Sequence, residues 1–148
     1  MRPVDEDSFY GLFNIIRHLH FHRSIERLEK LGLNFGQPPV LYALWRLDGQ
    51  TQADIARELH RTPATITATM QRMEQAGWIV RKPDPNDQRA IRVYLTQKSR
   101  DIRLQVEATL DDLDEQTFKG FSDVEQVLLR RFFVQIKENL IAIRPIDG

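Results

Sequence analysis

The segment from residue 62 to residue 72 carries small hydroxyl, amide and methyl side chains at helical spacing. In the major groove of DNA, hydroxyls and amides can hydrogen-bond base edges, while alanine methyls allow close approach and contact thymine methyls. The alternative is a surface helix without a ligand, but threonine is a mediocre helix former, so several in one exposed helix need another reason. The candidate DNA-contacting residues are Thr62, Ala64, Thr65, Thr67, Ala68, Gln71 and Arg72.

The loop at residues 83–89 contains two prolines, an asparagine and two aspartates, a composition typical of a tight turn. Arg89 follows Asp87 closely enough for the carboxylate to orient its guanidinium group. An oriented arginine on a narrow hairpin can enter a minor groove, where A·T-rich sequence concentrates negative potential. The alternative is a surface salt bridge worth less than about 1 kcal/mol. Asp87 and Arg89 are the candidate DNA-contacting residues of this loop.

Capping signals predict two short helices followed by a hairpin. The segment 62–72 then lies on the second helix, and the loop 83–89 lies at the tip of the hairpin. Thr51, with Asp54 three residues later, predicts one helix start, and Thr62 followed by Pro63 predicts another. Gly77 is placed to end the second helix. Residues 78–82 and 91–95 then form two short strands, the second with alternating apolar and polar side chains. This order of elements is what a winged helix-turn-helix needs.

Longer amphipathic helices are predicted on both sides of this region, at residues 8–31 and 38–47 before it and beyond residue 96 after it. The last helix, which Pro145 is placed to end, has apolar residues at strict steps of four from Val124 to Leu140. Its apolar stripe is too wide for a lone surface helix, so a partner is implied. We therefore predict a mainly α protein with a small β-hairpin.

Composition excludes several classes of protein. The 148 residues contain no cysteine, so disulfides, thiolate metal sites and cysteine redox sensing are excluded. The acidic N-terminus has no apolar signal core, and no window approaches the roughly 18 apolar residues of a membrane span, so we expect a cytoplasmic protein that does not bind membranes. The formal net charge is zero, but residues 51–96 carry seven basic and five acidic side chains. This difference gives weak support to a phosphate-facing middle region.

No arrangement of residues indicates catalysis. The sequence has no glycine-rich phosphate loop and no nucleophile beside a base, so we expect neither an enzyme nor a cofactor. The carboxylates of residues 111, 112, 114 and 115 are typical of a solvated helix end. His18 and His22 share a helical face at a spacing that can bind a transition metal. Without cysteines or an obvious completing carboxylate, we predict no metal site.

Five segments of the middle region form a recognisable set. They are TQADIA (51–56), TIT (65–67), MEQAGWI (73–79), DPNDQRA (84–90) and LT (95–96). Taken together and in this order, they resemble the MarR family of winged-helix transcriptional regulators. The resemblance covers about residues 37–98, while the flanking helices fit that family's dimerisation domain in outline only. Two departures are Ala68, where many relatives carry arginine, and His60, where the turn often has a small residue.

The resemblance implies a homodimer that reads a pseudo-palindromic DNA operator, usually as a repressor, and that responds to a small aromatic or anionic effector. It divides the chain into an N-terminal dimerisation helix (1–36), a winged helix-turn-helix lobe (37–97) and C-terminal dimerisation helices (98–148). By this resemblance, Arg89 corresponds to the arginine of the family's wing, and Asp87 corresponds to the residue that partners this arginine. The expected dimerisation residues are Phe9, Leu12, Leu128, Phe132, Ile136 and Leu140. The expected effector-pocket residues are His18, His22, Trp45 and Phe118.

Two rival interpretations remain from the sequence. A winged-helix module can bind protein rather than DNA, and the neutral net charge is compatible with that use. An enzyme would need convergent titratable groups in a pocket, and the sequence has no motif for one.

Overall fold

The computed structural model describes residues 8–143, so the acidic segment 1–7 and Pro145 lie outside the described residues. Helices dominate, and the two described strands form one antiparallel hairpin, which confirms the predicted fold class. The elements are α1 (Phe9–Glu29), α2 (Gln37–Arg46), α3 (Gln52–Glu58), α4 (Pro63–Gln75), β1 (Ile79–Pro83), β2 (Ile91–Leu95), α5 (Gln97–Asp101), α6 (Arg103–Thr117) and α7 (Asp123–Ala142).

Two compact units divide within α6, after Asp111. The first unit has one apolar core, to which α2, α3, α4 and the hairpin each contribute fully buried side chains. Leu28 of α1 and Val106 of α6 belong to the same core. Each such side chain contributes roughly 1.5–3 kcal/mol when it is fully buried, so this core fixes the helices and the hairpin relative to one another. Central members are Leu41, Leu44, Ile55, Ile66, Met70, Met73, Ile79 and Val93.

The predicted capping residues begin the two short helices. The Thr51 hydroxyl accepts the Asp54 backbone N–H at 3.1 Å, and the Thr62 hydroxyl accepts the Thr65 backbone N–H at 3.2 Å. Between these helices, His60 has a φ of +49°, in the left-handed region. Histidine is enriched there compared with most side chains other than glycine. The turn between α3 and α4 is therefore tight, as the few connecting residues predict.

The hairpin is tied to the loop between α2 and α3 rather than standing alone. The Gly49 N–H donates to the Val93 carbonyl at 3.1 Å, and the Val93 N–H donates to the Gln50 carbonyl at 2.9 Å. Gly49 has a φ of +79°, and a Cβ there would lie 2.9 Å from the Tyr94 ring. Only glycine allows the loop to approach the hairpin this closely.

The second unit begins at Asp112 and contains α7. A capping box starts this helix, because Ser122 accepts the Glu125 backbone N–H while the Glu125 carboxylate accepts the Ser122 N–H at 2.8 Å. None of the 20 residues of α7 is buried. Exposed apolar side chains include Val124, Val127, Leu128, Phe132, Phe133 and Leu140. No helix among the described residues is long and apolar enough to cross a membrane.

Candidate nucleic-acid interface

The outer face of α4 has the polar and small character that the sequence predicts. Ile66, Met70 and Met73 are buried in the core, which turns the opposite side of the helix to solvent. The candidate residues on that side are exposed, with one exception. Thr67 is half-buried, and its hydroxyl lies 2.8 Å from the side-chain amide nitrogen of Gln52 on α3. The exposed candidates are Thr62, Ala64, Thr65, Ala68, Gln71 and Arg72.

The wing tip differs from the sequence prediction in one respect. Asp87 does not orient the guanidinium group of Arg89, because its carboxylate instead accepts the Arg89 backbone N–H at 3.0 Å. Aspartate commonly bonds the backbone two residues ahead in a turn, and this local geometry prevails here. Asp87 therefore shapes the tip of the hairpin, and the exposed Arg89 side chain has no ion pair among residues 8–143.

Directly after β1, the wing holds an ion pair between a buried carboxylate and a partly exposed arginine, which sequence reasoning missed. Asp84 is only 5% exposed, and its carboxylate accepts the Asn86 backbone N–H at 2.8 Å and Arg92 Nε at 2.6 Å. Arg92 also donates to the Gly49 carbonyl at 2.8 Å. The Asn86 hydrogen bond and the Arg92 guanidinium lower the pKa of Asp84 below its ordinary value. These contacts join the wing tip to β2 and to the loop before α3.

A second ion pair joins α4 to the wing. One Glu74 carboxylate oxygen accepts the Arg81 backbone N–H at 3.0 Å, and the other accepts Arg81 Nε at 3.0 Å and Nη2 at 2.8 Å. These hydrogen bonds lower the pKa of Glu74. Because the two-pronged contact restricts orientation as well as distance, it holds β1 at a defined angle to the candidate DNA-contacting helix.

The ion pairs divide the six arginines of residues 51–96 into two groups. Arg57, Arg81 and Arg92 each pair with a carboxylate of the same unit. The remaining arginines, Arg61, Arg72 and Arg89, form no ion pair with the described residues, and all three are exposed. These three guanidinium groups are therefore available to an external anion.

Two of the unpaired arginines meet in one cleft. Arg61 and Arg89 line a cleft of about 400 Å³ between α3, the start of α4 and the wing. Arg61 was not predicted as a site residue. The signal that could have found it is its position, since a basic residue immediately before the N-cap of α4 must lie beside the exposed start of that helix.

The predicted pocket residues make contacts within their own units. The rings of His18 and His22 are 4.2 Å apart between centroids, and Trp45 Nε1 donates to the Ser99 carbonyl at 2.9 Å. Phe118 lines an open cavity of the second unit together with residues of α7. No group of three or more histidine, aspartate or glutamate side chains that could hold a metal occurs among residues 8–143. The effector-pocket assignment stays a prediction.

A different cavity, of about 270 Å³, lies within the first unit. Aromatic and apolar side chains from α1 and α2 form most of its wall, and one cation also reaches it. The residues most relevant to ligand chemistry are His20, Phe21, Tyr42 and Arg61. Burial raises the pKa of the Tyr42 phenol, with a smaller contribution from Glu107, so this hydroxyl stays protonated.

Comparisons with known proteins agree with this geometry. The model of the MarR family matches residues 33–91, which contain α2, α3, α4 and the wing loop. The chain is 29% identical over 108 residues to the HTH-type transcriptional regulator YwoH of Bacillus subtilis, covering 73% of this chain and 78% of that protein. It is 26% identical over 124 residues to the HTH-type transcriptional regulator MgrA of Staphylococcus aureus, covering 84% of each.

Solved structures share the fold. A MarR-like transcription regulator from Bacillus cereus has a TM-score of 0.81 at 23% identity, covering 93% of this chain and 99% of that chain. A cysteine-to-serine mutant of MarR from E. coli, complexed with operator DNA, has a TM-score of 0.74 at 23% identity, covering 84% and 90%. The family and these curated relatives are transcriptional regulators rather than enzymes. Residues 33–91 match the MarR family of winged helix-turn-helix transcriptional regulators, and the described fold is that of MarR structures.

Proposed function

We propose that this protein is a MarR-family transcriptional regulator, a cytoplasmic homodimer that binds a specific double-stranded DNA operator and represses transcription. Each copy places α4 in a major groove and its wing over the adjacent minor groove. The operator is pseudo-palindromic, because two-fold related copies read two equivalent half-sites. The MarR structure with operator DNA supports this assignment through its shared fold.

The unpaired arginines carry the proposal. A helix in the major groove and a wing in the neighbouring minor groove must straddle the phosphate strand between those grooves. The cleft lined by Arg61 and Arg89 lies between the start of α4 and the wing, where that strand would run. Carboxylates of the same unit pair with Arg57, Arg81 and Arg92, although the Arg57 side chain is 77% exposed and also lines this cleft. Among the cations beside α4 and the wing, Arg61 and Arg89 are placed to contact a duplex, although the whole chain is neutral.

The apolar surface of α7 supports the dimer. Leu128, Phe132 and Leu140 are each about half exposed, and Ile136 lies on the same row, so a large apolar stripe meets solvent. On α1, Phe9 is 77% exposed and Leu12 is 47% exposed. Soluble monomers rarely expose continuous apolar patches of this kind. A second copy of the chain covers both surfaces in the proposed assembly.

We further propose that a small aromatic anion acts as the effector. The 270 Å³ cavity offers the Phe21 and Tyr42 rings, and Arg61 lines both this cavity and the cleft beside Arg89. An anion in the cavity would therefore compete with DNA phosphate for the Arg61 guanidinium. Benzoate should weaken operator binding in a fluorescence anisotropy titration, whereas benzylamine, the matched cation, should not. Equal effects of the two compounds would refute an anion-selective effector site.

A random-duplex selection tests the DNA-binding proposal. The purified protein should enrich an inverted repeat whose half-sites are about 10 base pairs apart from centre to centre, one helical turn. A winged-helix module that binds only protein would enrich no sequence. That outcome would favour the protein-binding alternative.

A further inference from the structure

A hydrogen bond between side chains links α3 to the candidate reading face of α4. Gln52 is the first residue of α3, and its amide Nε2 donates to Thr67 Oγ1 at 2.8 Å. The other polar atom of this amide, Gln52 Oε1, is buried and has no hydrogen-bond partner among the described residues. Leaving a buried carbonyl unpaired is unfavourable. The contact with Thr67 is therefore the hydrogen bond by which the protein holds this amide.

The Thr67 hydroxyl behaves differently from the hydroxyls of three other threonines in the helices. Thr69, Thr109 and Thr117 each donate the hydroxyl hydrogen to the backbone carbonyl four residues earlier, at 2.7–3.0 Å. Thr67 makes no such bond in the described part of the chain, because its oxygen faces Gln52 instead. A hydroxyl has one hydrogen to donate and two lone pairs to accept with. Since Thr67 accepts from Gln52, its own hydrogen remains available.

The exposed neighbours Ala64 and Ala68 leave space around this hydroxyl. Ala64 lies three residues before Thr67 and Ala68 one residue after it on the outer face of α4. Neither alanine has a side chain long enough to cover the hydroxyl. A longer residue at position 68 would lie over the same surface. A base edge could therefore approach the Thr67 hydroxyl directly.

We propose that Gln52 is a specificity-determining residue that makes Thr67 a hydrogen-bond donor toward DNA. This inference rests on the proposed entry of α4 into the major groove. There, guanine presents N7 and O6, adenine presents N7 and thymine presents O4 as acceptors, whereas cytosine presents an amino donor. Thr67 then favours guanine, adenine or thymine and disfavours cytosine at one position of each half-site. Gln52 acts through Thr67 and need not touch the base.

Two substitutions of Gln52 should change the base preference in different ways. In the wild-type protein, one neutral hydrogen bond should give about a threefold to tenfold preference against cytosine at that position. Gln52→Met retains the length of the side chain but removes the donor, so the preference should fall below about twofold. Gln52→Glu offers only acceptors, which forces the Thr67 hydroxyl to donate inward. Its lone pairs then face the groove, and the preference should change in favour of cytosine.

The experiment is a random-duplex selection with parallel measurements on wild type and variants. Gln105→Met, at an exposed glutamine of α6 whose side chain makes no hydrogen bond to the described residues, is the matched control and should leave the operator unchanged. Thr67→Val should abolish the same preference, and Gln52→Met should add no further change in the Thr67→Val background. Thermal melting of each variant checks that it folds, and an acidic residue at the first position of a helix is favourable there.

The outcomes separate this inference from the function on which it rests. Failure of the wild-type protein to enrich any sequence would overturn the proposed function. Enrichment by the wild type, with the same base preferences in both Gln52 variants, would overturn only the role of Gln52. Loss of preference at several positions at once would also contradict it, because a merely structural role would affect the whole interface.

Discussion

Helices α4 and α7 are both amphipathic, but they leave opposite kinds of surface exposed. On α4, Ile66, Met70 and Met73 are buried, and hydroxyl, amide and methyl groups face outward. On α7, no residue is buried, and aromatic and aliphatic side chains face solvent. A polar outer face can meet a hydrated, hydrogen-bonding partner such as a base edge. An apolar outer face gains free energy only when another apolar surface covers it.

Charged groups occur around both α4 and α7. Around α4, carboxylates pair with Arg57, Arg81 and Arg92, and other arginines remain unpaired. On α7, the paired groups at the helix start, Ser122 and Glu125, serve the cap of the helix itself. The lower pKa of Glu125 comes from its hydrogen bonds with Ser122. Arg130, Arg131 and Lys137 of α7 are exposed and form no ion pair with the described residues. Unpaired cations therefore occur around both helices, and the contrast between the helices lies in their apolar surface.

The largest expected effect follows from disturbing the apolar helix. Ile136→Asp would place a carboxylate in the proposed dimer seam, where a buried unpaired charge costs several kcal/mol. We expect monomers by light scattering and a fall of about 10²- to 10⁴-fold in operator affinity, because the two half-sites would no longer be bound together. Gln135→Asp, at the neighbouring exposed position, is the matched control. A stable dimer of the Ile136→Asp protein would contradict the seam.

Removing the wing-tip cation should have a smaller effect. Arg89→Ala should cost about 1–3 kcal/mol in operator affinity per site, because it removes the proposed minor-groove contact. Lys82→Ala removes one positive charge elsewhere on the same hairpin, where the ammonium lies 5.8 Å from the Tyr94 ring. Anisotropy titrations of both variants measure the difference. Equal losses would show that the wing contributes only general positive charge.

Arg61 should contribute to affinity without contributing to base choice. If it contacts a phosphate, Arg61→Ala should weaken specific and random duplexes alike and reduce the salt dependence of log K by about 1 for each subunit. Arg103→Ala is the control, since Arg103 pairs with Glu107 at 2.7 Å and does not line the cleft. An unchanged salt slope in the Arg61→Ala protein would exclude a phosphate contact at this residue.

The smallest expected effect is the loss, at low pH, of the contact between Glu74 and Arg81 that orients the wing. Because hydrogen bonds from Arg81 lower the folded-state pKa of Glu74 below its ordinary value of 4.5, its stabilising contribution is present above that value. It is lost as pH falls through the lowered folded-state pKa. The Arg81 amide signal in NMR spectra should therefore be constant from pH 7 to 5 and shift at lower pH. In Glu74→Gln this titration should disappear, and a persistent shift would assign it to another group.

Local signals in the sequence predict much of this fold. Thr51, Thr62 and Ser122 begin helices because a hydroxyl N-cap acts over three residues. The wing tip shows the limit of such reasoning. From spacing alone, Asp87 could bond either the guanidinium or the backbone of Arg89, and the structure has the backbone contact.

Contacts between distant residues were not predictable in this way. Arg92 bonds Gly49, 43 positions away, and Gln52 bonds Thr67, 15 positions away. These partners depend on how the hairpin and α4 pack on the common core, which no local pattern encodes. The Arg61 cleft has the same origin, since it forms only when the wing lies beside α3.

Chemical interference on the selected operator tests the central claim most directly. Dimethyl sulfate methylates guanine N7 in the major groove and adenine N3 in the minor groove, so one reagent probes both proposed contacts. We predict two clusters of guanines whose methylation prevents binding, about 10 base pairs apart. Each cluster should be flanked by adenines whose methylation prevents binding of the wild-type protein but not of the Arg89→Ala protein. Interference confined to one groove, or no two-fold symmetry, would contradict the placement of paired α4 helices and wings on a duplex.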